Sequence, residues 1–293
     1  MIYKITHRLK YQYSAPVYFE PHYLHLKPRS DESQTLRQFT LRVNPEPFHM
    51  TELNDALGNP AHEIWFDGAA ECLVMEASSI TDVTRSNPFD YILRTSALHL
   101  PVNYSSSLIS YLKPFLNTDK VEASVREFSS LAAKKAGFET VGFLSQLCLM
   151  MNRQIQPVHR EEGFPWLPEK TLSGGTGACR DMAVLFIACC RAQGLAARFT
   201  SGYAYETWNK EGTDLHAWAE VYLEGAGWRG YDPSTGLAVS DQHIAVASAP
   251  EPQLVSPVTG TFRADKIISS LETCISVEMI SEKDVCKSLQ TAK

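Results

Sequence analysis

Nine consecutive residues, Met182 to Cys190, carry no polar side chain. A helix that is apolar on every side must be enclosed by other layers, so this run predicts a buried helix, with Gly194 as its C-terminal stop. The turn-prone segment Ser173-Gly174-Gly175-Thr176-Gly177 precedes it and puts Cys179 in the first helical turn. Unpaired N–H groups and the helix dipole stabilise a thiolate there, and the same N–H groups can face an oxyanion. Cys189 and Cys190 fall in mid-helix, where a free thiol is ordinarily inert packing. Cys72, Cys148, Cys274 and Cys286 also lack a catalytic setting.

Residues 196–206, 216–223 and 227–232 read as strands, the last stopped by Pro233. His216 shares a strand face with Trp218 and Glu220, and Asp232 shares one with Gly230 and Trp228. His216 and Asp232 meet on one face only if an odd number of loop residues joins the two strands. A three-residue loop, Glu224 to Ala226, satisfies that condition, with Gly225 or a neighbour in the left-handed region. A thiol, a base to ionise it and an acid to orient the base then follow in the order Cys179, His216, Asp232. His243 is the rival base, in a less diagnostic setting.

Residues 1–105 carry short alternating runs at 2–13, 23–28, 37–43, 61–66 and 72–80. Turn signals at Asp55–Pro60 and Asp67-Gly68 separate some of them, and the pattern predicts an antiparallel β-sandwich. His7, His22 and His25 read as structural. Residues 106–293 form the second expected domain. Helices are expected at 119–136, N-capped by Asp119, and at 140–156, followed by a long loop over 157–175. Trp166 in that loop either lines a cleft or covers core. Residues 241–247 read as a sheet-closing strand, and 262–280 as one or two more. The fold class is therefore α+β.

Composition narrows the function. A net charge of −6 argues against nucleic acid as a partner. No apolar stretch is long enough to span a membrane, and residues 1–20 do not read as a signal peptide. Seven cysteines without a spaced pattern fit a reducing, cytoplasmic setting and suggest no zinc site.

The segments Gly177-Ala178-Cys179-Arg180-Asp181, Ala197–Tyr203, His216–Tyr222 and Gly227–Ser234 resemble the bacterial transglutaminase-like superfamily, whose core is similar to papain-type cysteine proteases. The opening strand, Leu24–Arg29 and Asp55-Ala56-Leu57-Gly58-Asn59 resemble the N-terminal domain often joined to such cores. The resemblance implies Cys179 as nucleophile, His216 as base and then acid, and Asp232 as its orienter. Gly177, Arg180, Trp166 and Trp218 are candidate cleft residues. Animal transglutaminases have Trp where this chain has Arg180, and related bacterial chains carry a basic-acidic-tyrosine element where it has Ser248–Pro252. The implied chemistry is acyl transfer on an amide through a thioester, without metal or organic cofactor. Hydrolysis of a peptide or other amide substrate comes first. Transamidation or small-molecule acyl transfer by the same residues is the alternative, and a non-catalytic binding module a further one.

Overall fold

The structure, a computed structural model, describes residues 1–160, 163–205 and 215–285. Cys286 and the end of the strand expected at 196–206 lie outside the described residues.

The first third of the chain is β1 (Ile2–Phe19), β2 (His22–Leu24), β3 (Gln34–Asn44), β4 (His49–Asn54), β5 (Pro60–Trp65) and β6 (Ala69–Val83). In β1, Tyr3, Ile5, His7 and Leu9 are buried, while Lys4 and Arg8 are exposed, the period-2 signature of a sheet with one covered face. Two antiparallel sheets enclose a core that includes Leu9, Leu24, Ile64, Leu73 and Met75. β2 is shorter than the run expected at 23–28, because the chain leaves the sheet after Leu24. β4 carries no apolar alternation and was not anticipated; its side chains are half-buried or exposed.

The helical part comprises α1 (Ser106–Leu112), α2 (Ala123–Lys135) and α3 (Thr140–Gln154), followed by β7 (Gln156–Pro157). Glu122, not Asp119, occupies the N-cap of α2. The loop expected over 157–175 contains a short helix, α4 (Pro168–Gly174), started by Pro168 and closed by Gly175 at φ 62°. β8 (Thr176–Gly177) pairs parallel to β7 and delivers the chain into α5 (Cys179–Ala192). α5 is the expected buried helix; Met182, Leu185, Phe186 and Cys189 are each fully enclosed.

A third antiparallel sheet follows: β9 (Ala197–Ala204), β10 (His216–Leu223), β11 (Gly227–Asp232), β12 (Leu237–Ala238) and β13 (His243–Ala249), in the order β12-β11-β10-β9-β13. Ala217, Ala219, Val221 and Tyr231 share the core cluster of α5, and Tyr231 stacks on Phe186. By alternation, His216, Trp218, Glu220 and Asp232 turn to the opposite face.

The chain ends with β14 (Val258–Thr259), β15 (Phe262–Arg263) and β16 (Ser269–Ile280). β14 joins β2, and β15 and β16 pair with β1. Residues 258–280, placed after the expected boundary at 105, thus complete the N-terminal sheets in space.

β13 is an edge strand, and an exposed edge is a pairing hazard. Here two carboxamides cover it. Gln34 accepts from Ala245 N–H at 2.8 Å and donates to Ala245 C=O at 2.9 Å. Asn59 does the same for Ser248, at 2.8 and 3.0 Å. Each side chain thereby mimics one residue of a partner strand and fixes the N-terminal sandwich against the core. Ser248 is consumed by this docking.

Candidate active site

The β10–β11 hairpin has the expected parity. Leu223 pairs with Gly227, leaving the three-residue loop Glu224–Ala226, with Gly225 at φ 94°. His216 and Asp232 consequently share a face, and His216 Nε2 lies 2.7 Å from Asp232 Oδ2. The other carboxylate oxygen accepts from the Ser234 N–H at 2.9 Å and the Ser234 hydroxyl at 2.6 Å. Asp232 is fully buried.

Cys179 is the first residue of α5, and its thiol lies near enough to His216 to act on the charge of the imidazole. Since Nε2 of His216 is committed to Asp232, Nδ1 is the ring nitrogen left to the thiol. Burial opposes a charge on His216, but the Asp232 carboxylate and the Cys179 contact outweigh it and raise its pKa well above the ordinary 6.5. Burial likewise opposes ionisation of Asp232, yet His216 first and His243 second hold its pKa well below the usual 3.8. Both shifts favour the charged pair, an imidazolium beside a carboxylate.

His243 sits on the same carboxylate oxygen, with Nε2 at 3.1 Å from Oδ2. Trp218 lies beneath both rings, near-parallel to His216 at 6.2 Å between centroids and edge-on to His243 at 5.1 Å. Gly202 makes room for it: a Cβ there would fall 2.7 Å from the indole and 2.2 Å from the Ile244 carbonyl.

Asp181 closes the N-terminus of α5. It accepts from the N–H groups of Ala178 (2.9 Å) and Trp166 (2.8 Å), and from Arg160 Nη2 (2.6 Å). The first backbone N–H groups of the helix precede any intrahelical acceptor and remain available to an anion.

A cleft of about 440 Å³ opens at Cys179. Arg180 borders it, as expected, and donates to the Arg160 carbonyl at 2.6 Å. The other three cleft candidates do not. Trp218 is buried under the histidines. Gly177 is buried too, and a Cβ on it would meet Thr171 at 2.9 Å, so it serves close packing. Trp166 borders a separate, smaller pocket beside Val184 and Ile187 of α5, held between the Arg160 guanidinium (4.8 Å) and the Lys170 ammonium (4.0 Å). The missed walls come from the sandwich: Leu9 and Tyr11 of β1, and Leu271 and Thr273 of β16. Their alternation was readable, but not what they face.

Glu220 was also missed as a functional anchor. Arg29, from the segment after β2, reaches it at 2.5 Å, and Arg198 of β9 at 2.7 Å. A charged residue in a strand otherwise rich in apolar side chains was the available signal.

A helix-borne thiol beside a strand-borne imidazole and a buried carboxylate, on an antiparallel sheet, defines a papain-like core of the α+β class. Comparison with known proteins narrows it: residues 144–233 match the family model of the transglutaminase-like superfamily, and residues 3–82 match that of the bacterial transglutaminase-like N-terminal region. Uncharacterized proteins of Mycobacterium bovis and Mycobacterium tuberculosis are each 27% identical over 94% of this chain and 92% of their own. A solved structure from Cytophaga hutchinsonii, described as a candidate cysteine protease, shares the fold with a TM-score of 0.71, at 19% identity over 96% of this chain and 92% of its own.

Proposed function

We propose that the protein is a cysteine-dependent acyl-transfer enzyme that hydrolyses an amide, with Cys179, His216 and Asp232 as its catalytic set. One observation carries this reading: the Cys179 thiol, in the first turn of a buried helix, lies near an imidazole whose Nε2 is 2.7 Å from a buried carboxylate. In that arrangement the thiol proton rests on His216, and the sulfur is a thiolate facing the cleft.

The thiolate adds to an amide carbonyl carbon, and the oxyanion develops toward the N–H groups at the start of α5. The C–N bond breaks as His216 gives its proton to the leaving nitrogen, leaving a thioester on Cys179. Now neutral, His216 takes a proton from water, whose oxygen attacks the thioester; the acid leaves and the thiolate is restored. Asp232 keeps the tautomer and orientation of His216 through both steps. An amine in place of that water gives transamidation. The apolar wall of Leu9, Tyr11 and Leu271 suits a peptide with an apolar side chain near the scissile bond. We place the reaction in the cytoplasm on the cysteine content alone.

The test is the pH dependence of Cys179 alkylation by iodoacetamide, in wild type and His216→Ala, with the adduct located by mass spectrometry. Reaction that persists well below the free-thiol pKa of about 8.5, and is lost in the variant, supports the reading. An ordinary thiol profile in both removes it.

A further inference from the structure

His243 does nothing in the mechanism above, yet it shares an oxygen with the residue that orients the base. Its side chain is only 10% exposed, and Nε2 lies 3.1 Å from Asp232 Oδ2, the atom that also holds His216. An ionised carboxylate only accepts hydrogen bonds, so Nε2 of His243 must carry a proton. Its other nitrogen, Nδ1, is buried with no protein partner, and so is Nε1 of Trp218. Both residues border one small cavity of about 20 Å³. A cavity of that size holds a single water, and a water there could accept from the indole and donate to Nδ1. That bond would keep the proton of His243 on Nε2.

We propose that His243 is a positioning residue: its Nε2–H anchors Oδ2 of Asp232, fixing the carboxylate that orients His216 and diluting its hold on the imidazolium. This rests on the catalytic reading above for its use, but its test does not. A carboxylate shared between two donors holds each less strongly than it would hold one alone. Removing the His243 donor therefore leaves Asp232 with more negative charge for His216. The raised pKa of His216 agrees with a strong Asp232 contact already present.

Other charges face this group. Arg29, Arg85 and Glu220 border the same cavity, and Asp241 stands two residues earlier on its own segment. Arg29 and Glu220 are paired with each other at 2.5 Å, and a substitution at position 243 leaves them in place. Cys179 acts on His216 from α5.

The experiment is ¹⁵N NMR of the imidazole rings across pH, in wild type, His243→Leu and His243→Gln. Leucine fills the space without a donor, and glutamine restores an N–H near the original position. The expected result is a His216 transition raised by about 0.5–1 pH unit in H243L, with H243Q returning most of the way to wild type. A purely packing role would move stability but not this transition. Identical His216 titration in all three proteins overturns the proposal. Should H243L fail to fold, the wild-type spectrum decides: proton on Nε2 of His243 upholds the anchor, and an Nδ1–H tautomer with bare Nε2 overturns it. Iodoacetamide reactivity of Cys179, read in parallel, bears on the catalytic reading alone, so the two fail separately.

Discussion

Glu220 and Asp232 lie on adjoining strands of one sheet, turn to the same face and are both buried. They differ in what neutralises them. Glu220 is held by Arg29 and Arg198, cations that stay charged at any pH the fold survives. Asp232 is held by the imidazoles of His216 and His243. The first arrangement is a fastening: burial works against ionisation of Glu220, yet the two guanidiniums bring its pKa down to about 2. The second can pass a proton without rearrangement. One sheet face thus carries a fixed anchor to the sandwich and, next to it, a set of groups that can do chemistry.

The largest effect should come from Asp232→Asn. Amide turnover falls by about 10⁴-fold, while circular dichroism shows a folded protein. Turnover within tenfold of wild type would erase the distinction between the two carboxylates. Glu220→Gln is the converse. It strands two buried guanidiniums and should cost about 3–5 kcal/mol in urea unfolding, with the alkylation profile of Cys179 unchanged in the protein that remains folded. A profile that shifts with E220Q would mean that the anchor and the reactive set are one unit.

The pH dependence separates them further. The folded pKa of His216 is raised, so its contribution is full below 6.5 and fades as pH rises through the folded value. That of Asp232 is lowered, so its contribution is present above 3.8 and lost as pH falls through the folded value. The Glu220 pairing is lost only between 4.5 and about 2. His7 is the case without an acid: buried on β1, with Nδ1 3.0 Å from the Tyr203 hydroxyl, it has its pKa lowered by burial to about 4. The unfolded chain binds that proton more readily, so stability falls as pH drops from 6.5 toward 4. The loss totals about 3 kcal/mol, and the slope should flatten in His7→Phe. Urea melts at half-unit steps measure both; an unaltered slope in H7F assigns the acid loss elsewhere.

Asn59→Ala is the smallest expected change. It removes two hydrogen bonds from Ser248 on the edge strand and should cost about 2 kcal/mol, read as a lower unfolding midpoint with an unchanged alkylation rate. A loss under a few tenths would mean that water replaces the carboxamide and that the edge is less enclosed than its geometry implies.

The half of this comparison built on Asp232 was legible in the sequence because it is local. An unbroken apolar run behind a turn-prone segment put Cys179 at a helix start, and strand parity with a three-residue loop brought His216 to Asp232 across one hairpin. The anchoring half was not legible: Arg29 and Glu220 lie 191 residues apart, and no spacing rule joins them. The cleft walls were hidden for the same reason. Trp166 and Trp218 were reasonable aromatic candidates, but local pattern cannot say that one borders a different pocket beside α5 and the other lies beneath the imidazoles. The approach of His243 to Asp232 likewise depends on β13 pairing with β9 at the sheet edge, a register that the sequence does not print.

The pairing of β16 with β1 has a bearing on timing. Leu9 and Tyr11 precede Cys179 in the chain and Leu271 and Thr273 follow it, yet the four border one cleft. In synthesis the thiol at position 179 and the imidazole at position 216 are both made before β16, so one wall of the cleft is still missing when they are in place. A nascent chain therefore carries Cys179 before the β16 side of its cleft exists, and that wall arrives only with the closing strand.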